Sequence, residues 1–109
     1  MIVKTSIIGT TAVISPHGDI DFDSLPHLVT AADELPAVVT RVIWDFQAVS
    51  FIDSAGLDLL TCQRRTCQAL NRTLTVSGLP GQGRRLLSLS EDLFPTGNWD
   101  DFIPADTAA

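Results

Sequence analysis

Basic residues are scarce in this chain of 109 residues: seven Lys and Arg stand against 13 Asp and Glu, which gives a formal net charge of −6 at pH 7. Binding to a phosphate backbone needs the opposite sign of charge, so direct contact with nucleic acid is disfavoured. Long apolar runs are also missing. None approaches the ~20 residues that a membrane-spanning helix needs, and residues 1–11 lack the continuous apolar core of a signal peptide. These absences predict a cytoplasmic protein without a membrane segment.

Cysteine and histidine number only two each. Cys62 and Cys67 fall five residues apart on one predicted helix, where their side chains diverge by about 140° and cannot form a disulfide. We therefore expect two buried thiols. His17 and His27, without any paired cysteine spacing, are too few ligands for a structural zinc site, so neither a metal nor a cofactor is expected.

The remaining composition is that of a folded domain. Hydrophobic residues make up 45% of the chain and the mean hydropathy is +0.24, which disfavours disorder. The length suits one hydrophobic core and is too short for two. We expect a single domain over residues 1–109, of which residues 105–109 form a frayed tail.

Signals for strands and helices alternate along the chain. Gly9 and Thr10 separate two strand patterns and predict a hairpin, while Pro16 is expected to end the second strand and residues 17–21 to form an acidic loop. The predicted order is β-β-α-β-α-β-α with a short last strand, which favours an α/β sheet whose later strands are mostly parallel. The predicted strands are residues 2–8, 11–15, 42–44, 74–77 and 93–94. Asp23 or Ser24 is expected to cap the first helix and Asp53 or Ser54 the second, a third helix begins at Gly81, and a single helical turn covers residues 99–102.

The segment of residues 41–60 is the centre of this order. Its apolar run at residues 42–44 is typical of a strand covered on both faces. Residues 47–52 keep several apolar side chains, so we expect a loop that packs down on the core. Asp53 or Ser54 then caps a helix, because either short side chain can accept a hydrogen bond from the free N–H groups of the first turn.

The helix after this cap has a polar side and an apolar side. At about 100° per residue, Ser54 and Asp58 fall on the polar side, which faces solvent. Thr61 and Arg65 continue it. Leu57 also lies there, and we expect no core for it to enter. The predicted core face consists of Ala55, Gly56, Leu59, Leu60, Cys62, Thr66, Cys67, Ala69 and Leu70.

The stretch VIWDFQAVSFIDSAGLDLL, residues 42–60, resembles the signature of the STAS domain of anti-sigma factor antagonists, also called anti-anti-sigma factors. In that signature an apolar strand ends in Asp and a D-S-x-G helix start follows. Residues 18–21 resemble the family's G-x-x-D loop, and residues 78–87 resemble its later glycine and arginine-leucine helix. The likeness covers about residues 2–95. It implies a small single-domain α/β STAS-like fold, with a mixed four- to five-stranded sheet and helices packed mainly on one face.

The resemblance also implies a function. In that bacterial family the serine matching Ser54 is phosphorylated by a partner that is both a serine kinase and an anti-sigma factor. The unphosphorylated form binds this partner and frees the sigma factor, and the Asp matching Asp21 contributes to the same surface. For this chain the resemblance implies a phosphoprotein of transcription regulation that is not an enzyme, and it allows a weak homodimer. Together with the helix pattern it gives the expected partner-binding residues Asp21, Asp53, Ser54, Gly56, Leu57, Asp58 and Thr61.

Three other interpretations stay open. Asp53 and Ser54 could form a plain helix cap, which almost any helix needs. Ser54 could be an enzyme nucleophile with His17 as its base. Asp19 or Asp21 would then orient the base, but the chain has no G-x-S-x-G elbow and offers no oxyanion donors beyond the helix itself, so this interpretation is disfavoured. A STAS-like domain could also serve in a stress-sensing assembly or a lipid-transport complex without a kinase switch.

Overall fold

Eight elements make up the part of the chain that the computed structural model describes, which is residues 1–93, with side chains described for residues 1–90. The predicted last strand is wrong at Leu93, which lies in a helix. Residue 94, the predicted turn at 99–102 and the predicted tail lie outside the described residues. The strands are β1 (Ile2–Ile8), β2 (Thr11–Ile20), β3 (Arg41–Asp45), β4 (Val49–Ile52) and β5 (Thr73–Ser77), and the helices are α1 (Leu25–Asp33), α2 (Ser54–Ala69) and α3 (Gly81–Leu93).

Strand β2 is the strand around which the sheet is built. On one edge it pairs antiparallel with β1. On its other edge it pairs in parallel with β3 through residues 11–14 and then with β4 through residues 18–20. Strand β5 lies parallel to β3 on the far side, so the order is β1-β2-β3-β5 with β4 beside β2. The prediction of a mixed sheet is confirmed, with five strands within residues 1–93.

Pro16 does not end β2: the strand continues to Ile20, so most of the predicted loop at residues 17–21 is strand. The missing N–H of Pro16 would point to the β3 side of the strand, as the N–H of Gly18 does when it donates to the carbonyl oxygen of Ala48 at 3.1 Å. Pro16 follows the residues paired with β3 and precedes those paired with β4. No ladder hydrogen bond is lost there, which is how a strand tolerates proline.

The sheet buries one face beneath the helices. In β3, Val42 and Trp44 are 1% and 0% exposed, whereas Ile43 between them is half-buried. The apolar run of β3 therefore does not mark a strand covered equally on both faces. Val42 and Trp44 share one core with side chains from all three helices. This agrees with the expectation that the helices pack mainly on one face of the sheet. That core consists of Ala12, Ile14, Ile20, Leu28, Ala32, Val39, Val42, Trp44, Phe46, Val49, Ile52, Leu59, Leu60, Cys67, Val76, Leu79 and Leu87.

A fifth strand, β4, stands where a packed loop was predicted. Val49 and Ile52 are buried at its two ends, but Phe51 is 46% exposed, so only part of this segment packs down. Four residues are too few to show the alternation that marks a strand. The strand forms because it extends the sheet beside the second half of β2, with Ile52 opposite Ile20. This pairing fixes the point from which α2 starts.

Candidate functional site

Helix α2 begins two residues after β4 ends, and Ser54 is its first residue. Asp53 is the N-cap, because its Oδ1 accepts a hydrogen bond from the N–H of Ala55 at 2.8 Å. Of the two residues predicted as caps, Asp53 takes the role. Ser54 is exposed, and its hydroxyl is left at the surface beside the capped helix end.

Asp21 reaches the same place from strand β2. Ile20 and Ile52 are paired at the ends of the parallel strands β2 and β4, so the residues that follow leave from the same edge of the sheet. The N–H of Asp53 donates to the carbonyl oxygen of Ile20 at 3.2 Å. The structure thus brings Asp21 next to the start of α2. Its contact with a partner stays a prediction.

The Asp21 carboxylate also closes the turn that leads into α1. Its Oδ1 accepts a hydrogen bond from the N–H of Ser24 at 3.0 Å, and the N–H of Asp21 donates to Oγ of Ser24 at 2.9 Å. Ser24 precedes α1 as predicted, but its side chain does not cap the helix. The turn needs a hydrogen-bond acceptor at position 21 and does not need a charge there.

Asp21→Asn removes the charge of Asp21 but keeps the hydrogen-bond acceptor that closes the turn. Asparagine keeps the acceptor for Ser24, so the melting temperature should stay close to that of the wild type. Asp21→Ala removes the acceptor and should lower the free energy of unfolding by about 1 kcal/mol. Partner binding or phosphorylation should fall in both variants. Equal losses of stability in the two, measured by thermal melting, would show that the charge itself holds the turn.

Gly56 is buried where α2 leaves the sheet. A methyl group on its Cα would collide with Cγ2 of Ile52 and would lie 3.6 Å from Cγ2 of Ile20. The glycine therefore allows the first turn of α2 to pack directly on the paired ends of β2 and β4. Its burial leaves little surface for the predicted partner contact, so an effect of Gly56 on a partner would act through the position of Ser54.

Gln82 is a site residue that no sequence pattern predicts. From the first turn of α3, its side-chain amide accepts a hydrogen bond from the N–H of Ile52 at 3.0 Å and donates to the carbonyl oxygen of Ile52 at 2.7 Å. The amide thus takes the place of a further strand on the outer edge of β4. Together with β2 it holds the backbone of Ile52 from both sides, two residues before Ser54. A glutamine in a helix carries no pattern that signals such a contact.

The exposed side of α2 is narrower than predicted. Ser54 and Asp58 are exposed, but Thr61 is half-buried, and its Oγ1 donates to the carbonyl oxygen of Leu57 at 3.0 Å. Leu57 is half-buried as well and packs against the hydrophobic core. The prediction that Leu57 has no core to enter is wrong, because its part of the helix circumference borders the buried face.

The buried face of α2 differs from the predicted one at its margins. Gln63 is buried, although it was not predicted to be. Of the two cysteines only Cys67 is buried, and burial raises the pKa of its thiol, while the charge of Arg72 lowers it. Cysteine, threonine and alanine lose little by facing water, so such residues do not determine which face of the helix is buried. The residues found exposed against the prediction are Cys62, Thr66, Ala69 and Leu70.

Leu57→Ala should lower the free energy of unfolding by about 1 kcal/mol, because it lies between a surface change of at most ~0.5 kcal/mol and a core leucine at 2–5 kcal/mol. Leu70→Ala is the matched control, since Leu70 caps the same helix and is 54% exposed. That control should change the free energy by no more than ~0.5 kcal/mol. Urea unfolding measures both variants. Equal values for the two would mean that the packing of Leu57 contributes nothing.

The two clefts that His17 lines do not include Ser54. His17 lines a cleft with Asp19, Asp21 and His27, and Ser54 is not part of that lining. The arrangement gives no support to a serine nucleophile with His17 as its base.

In the described part of the chain, no group of three or more His, Cys, Asp or Glu residues is placed to hold a metal ion. No helix there has the length and apolar character to cross a membrane.

Fold and site together define a small α/β domain in which an exposed serine heads a helix, at the edge where two parallel strands end. The family model for the STAS domain matches residues 3–94. The chain belongs to the STAS domain family, which confirms the resemblance seen in its sequence. Comparison with curated protein sequences finds no match.

Solved structures share this fold at low sequence identity. The anti-sigma factor antagonist SpoIIAA in its unphosphorylated form is 22% identical, with a TM-score of 0.63 over 81% of this chain and 83% of that chain. The phosphorylated form of SpoIIAA from Bacillus gives 23% identity and a TM-score of 0.61 over 82% and 83%. An anti-sigma factor antagonist from Mycobacterium paratuberculosis gives 18% and 0.65 over 98% and 89%. At these identities the likeness establishes the fold.

Proposed function

We propose that this protein is an anti-sigma factor antagonist. Its unphosphorylated form binds an anti-sigma factor that is also a serine kinase and so frees a sigma factor, and phosphorylation of Ser54 ends that binding. One observation carries the proposal: Ser54 is exposed at the first position of α2 while Asp53 caps the helix, so a phosphate can be added without breaking the cap. The family and the fold shared with both forms of SpoIIAA support it.

A phosphate on Ser54 is compatible with the fold of the antagonist itself. It adds about −1.5 to −2 charges at neutral pH. The N-terminus of α2 favours negative charge, because its free N–H groups and the helix dipole both point toward it. Phosphorylation should therefore leave the domain folded and change only the surface that a partner meets.

That surface combines the exposed start of α2 with the neighbouring end of β2. A phosphate adds bulk where a close-fitting partner would cover Ser54. A negative group of the partner about 6 Å away is repelled by about 3 kcal/mol per unit charge at an effective dielectric constant of about 20, before screening. Such a loss lowers affinity by about two orders of magnitude. The proposed surface consists of Asp21, Asp53, Ser54 and Asp58, with Leu57 and Thr61 at its margin and Gly56 beneath it.

In this proposal the chain acts in the bacterial cytoplasm and its partner is a protein. It regulates transcription without touching nucleic acid, in keeping with its net charge of −6.

Ser54→Ala should abolish phosphorylation and keep partner binding. The experiment incubates the chain with ATP and the anti-sigma serine kinases encoded in the same genome, and measures phosphate incorporation and binding. The wild type should take up one phosphate and be released, whereas Ser54→Ala should take up none and stay bound with or without ATP. Ser50→Ala is the matched control, because Ser50 is also exposed and lies four residues earlier. It should behave as the wild type.

Two results would contradict the proposal in different ways. Phosphate incorporation into Ser54→Ala at the wild-type level would remove Ser54 as the switch. A stable high-mass complex in native lysate that does not respond to ATP would favour the other role considered for this family, a subunit of a stress-sensing or lipid-transport assembly.

A further inference from the structure

Strand β1 is an outer strand of the sheet, and within residues 1–93 no strand pairs with its free edge. Among the described residues its only partner is β2, in continuous register from Ile2 to Ile8. Its large side chains remain in contact with water: Ile2 is 64%, Ile7 is 44% and Ile8 is 76% exposed. A partner strand added at this edge would cover apolar surface as well as free backbone groups.

The features that usually prevent an edge strand from pairing are nearly absent in β1. Protected edges are short, or they carry proline, a bulge or several charges. Strand β1 is seven residues long, has no proline and carries a single charge, on Lys4. Its ladder with β2 shows no bulge. The edge is therefore open to a further strand.

The backbone groups of Val3, Thr5 and Ile7 point to this open edge. Ile8 and Thr11 flank the two-residue turn of the hairpin, and a pair in that position is hydrogen-bonded. Hydrogen-bonded and non-hydrogen-bonded pairs alternate along an antiparallel ladder. Every second residue counted back from Ile8 therefore bonds to β2, and the residues between them offer their N–H and C=O groups outward.

We propose that β1 pairs antiparallel with β1 of a second copy of this chain, about a two-fold axis through Thr5. The strand, IVKTSII, has nearly the same pattern when it is reversed about Thr5. In this register apolar residues face apolar residues, and the only charge faces a hydroxyl instead of its own copy. The facing pairs are Ile2 with Ile8, Val3 with Ile7, Lys4 with Ser6 and Thr5 with itself.

The opposite edge of the sheet is less suited to this pairing. Strand β5 has five residues, and its larger side chains, Leu74 and Val76, are half-buried and buried. Pairing through β5 would remove little further apolar surface from water. A pair of seven-residue strands buries less than a standard interface, so the β1 dimer is reversible and depends on concentration.

The dimer leaves the proposed regulatory serine accessible. Strand β1 pairs with one edge of β2, and β4, which leads to Ser54, pairs with the other. The pairing of β1 and the binding of a partner at α2 therefore use different sides of the domain. The proposal does not depend on the phosphorylation of Ser54.

Sedimentation of the full chain over a range of concentrations tests the dimer. The mass should rise from 11.7 kDa toward twice that value. Thr5→Lys places two ammonium groups against each other on the axis and should hold the chain at the single mass, although it lowers the net negative charge by one unit. Thr5→Glu should do the same. An equal mixture of the two variants should recover the double mass, because Lys then faces Glu.

Thr75→Lys is the matched control, since it makes the same change at the centre of β5. It should dimerise as the wild type does. Three outcomes overturn the proposal: a wild type that keeps the single mass at every concentration, a dimer broken by Thr75→Lys and not by Thr5→Lys, and a mixture of Thr5→Lys with Thr5→Glu that stays at the single mass. Circular dichroism confirms that each variant remains folded.

Discussion

Gly78→Ala should lower the free energy of unfolding by about 2–3 kcal/mol and the melting temperature by about 10 °C or more. Gly78 has a φ of +68°, a backbone conformation that costs an L-residue about 1–2 kcal/mol. A Cβ at this position would also lie 2.8 Å from the backbone nitrogen of Gln47 and 3.0 Å from its Cα. Backbone atoms cannot rotate away as a side chain does. Beside this contact, the N–H of Phe46 donates to the carbonyl oxygen of Ser77 at 2.8 Å. The backbone at residues 46–47 is therefore held against the backbone at residues 77–78.

Gly9→Ala isolates the backbone strain from the collision. Gly9 has a similar φ of +63°, but a Cβ there would meet nothing within 4 Å. Part of the strain is offset because alanine restricts the unfolded chain, so this variant should lose about 1 kcal/mol or less. Urea unfolding of both variants gives the comparison. Equal losses would mean that the close approach of Gln47 is not what requires glycine at position 78.

The hairpin and the central strand were predictable because their signals are local. Gly9 and Thr10 interrupt two apolar patterns, and the turn they form joins β1 to β2 as expected. The run at residues 42–44 marks β3 correctly, but not its environment. A run of three apolar residues cannot show that one face of the sheet carries the helices while Ile43 lies on the other.

The elements that were missed depend on contacts between distant segments. Strand β4 exists because the second half of β2 has a free edge after β3 ends, which nothing in residues 49–52 announces. Gln82 is similar, since its role is to bond a strand edge 30 residues earlier in the chain. For α2, periodicity placed Leu59 and Leu60 correctly in the core. Cys62, Thr66 and Ala69 were wrongly predicted to be buried, because they are too weakly apolar to determine which side of the helix faces the sheet.

Only the part of the candidate site that lies within a sequence motif could be predicted. Ser54 and Asp53 were identified from the helix start, and the structure shows which of them caps. The position of Asp21 beside them came from the family resemblance alone. No spacing in the sequence indicates that β2 and β4 end side by side.

Gly56→Ala should lower the free energy of unfolding by about 2 kcal/mol, although alanine favours a helix over glycine by about 1 kcal/mol. Overpacking a buried site costs about 1–3 kcal/mol, and here the upper end applies because Ile52 cannot retreat. Its backbone is fixed by β2 on one side and by both hydrogen bonds to Gln82 on the other. Gly81→Ala is the control at a helix start: Gly81 is exposed and the nearest atom, Nη1 of Arg85, lies 3.5 Å away. It should cause no loss.

A double-mutant cycle with Ile52→Ala identifies the collision directly. Ile52→Ala alone should lose about 2–5 kcal/mol as a buried branched side chain is cut back, but it also removes Cγ2, the atom that a methyl group at position 56 would meet. In that background Gly56→Ala should therefore be neutral or stabilising by up to about 1 kcal/mol, the gain in helix propensity. The two changes would then be coupled by about 2–3 kcal/mol, as expected for side chains in contact. If Gly56→Ala has the same cost in both backgrounds, the contact with Ile52 is not the reason that α2 begins with a buried glycine.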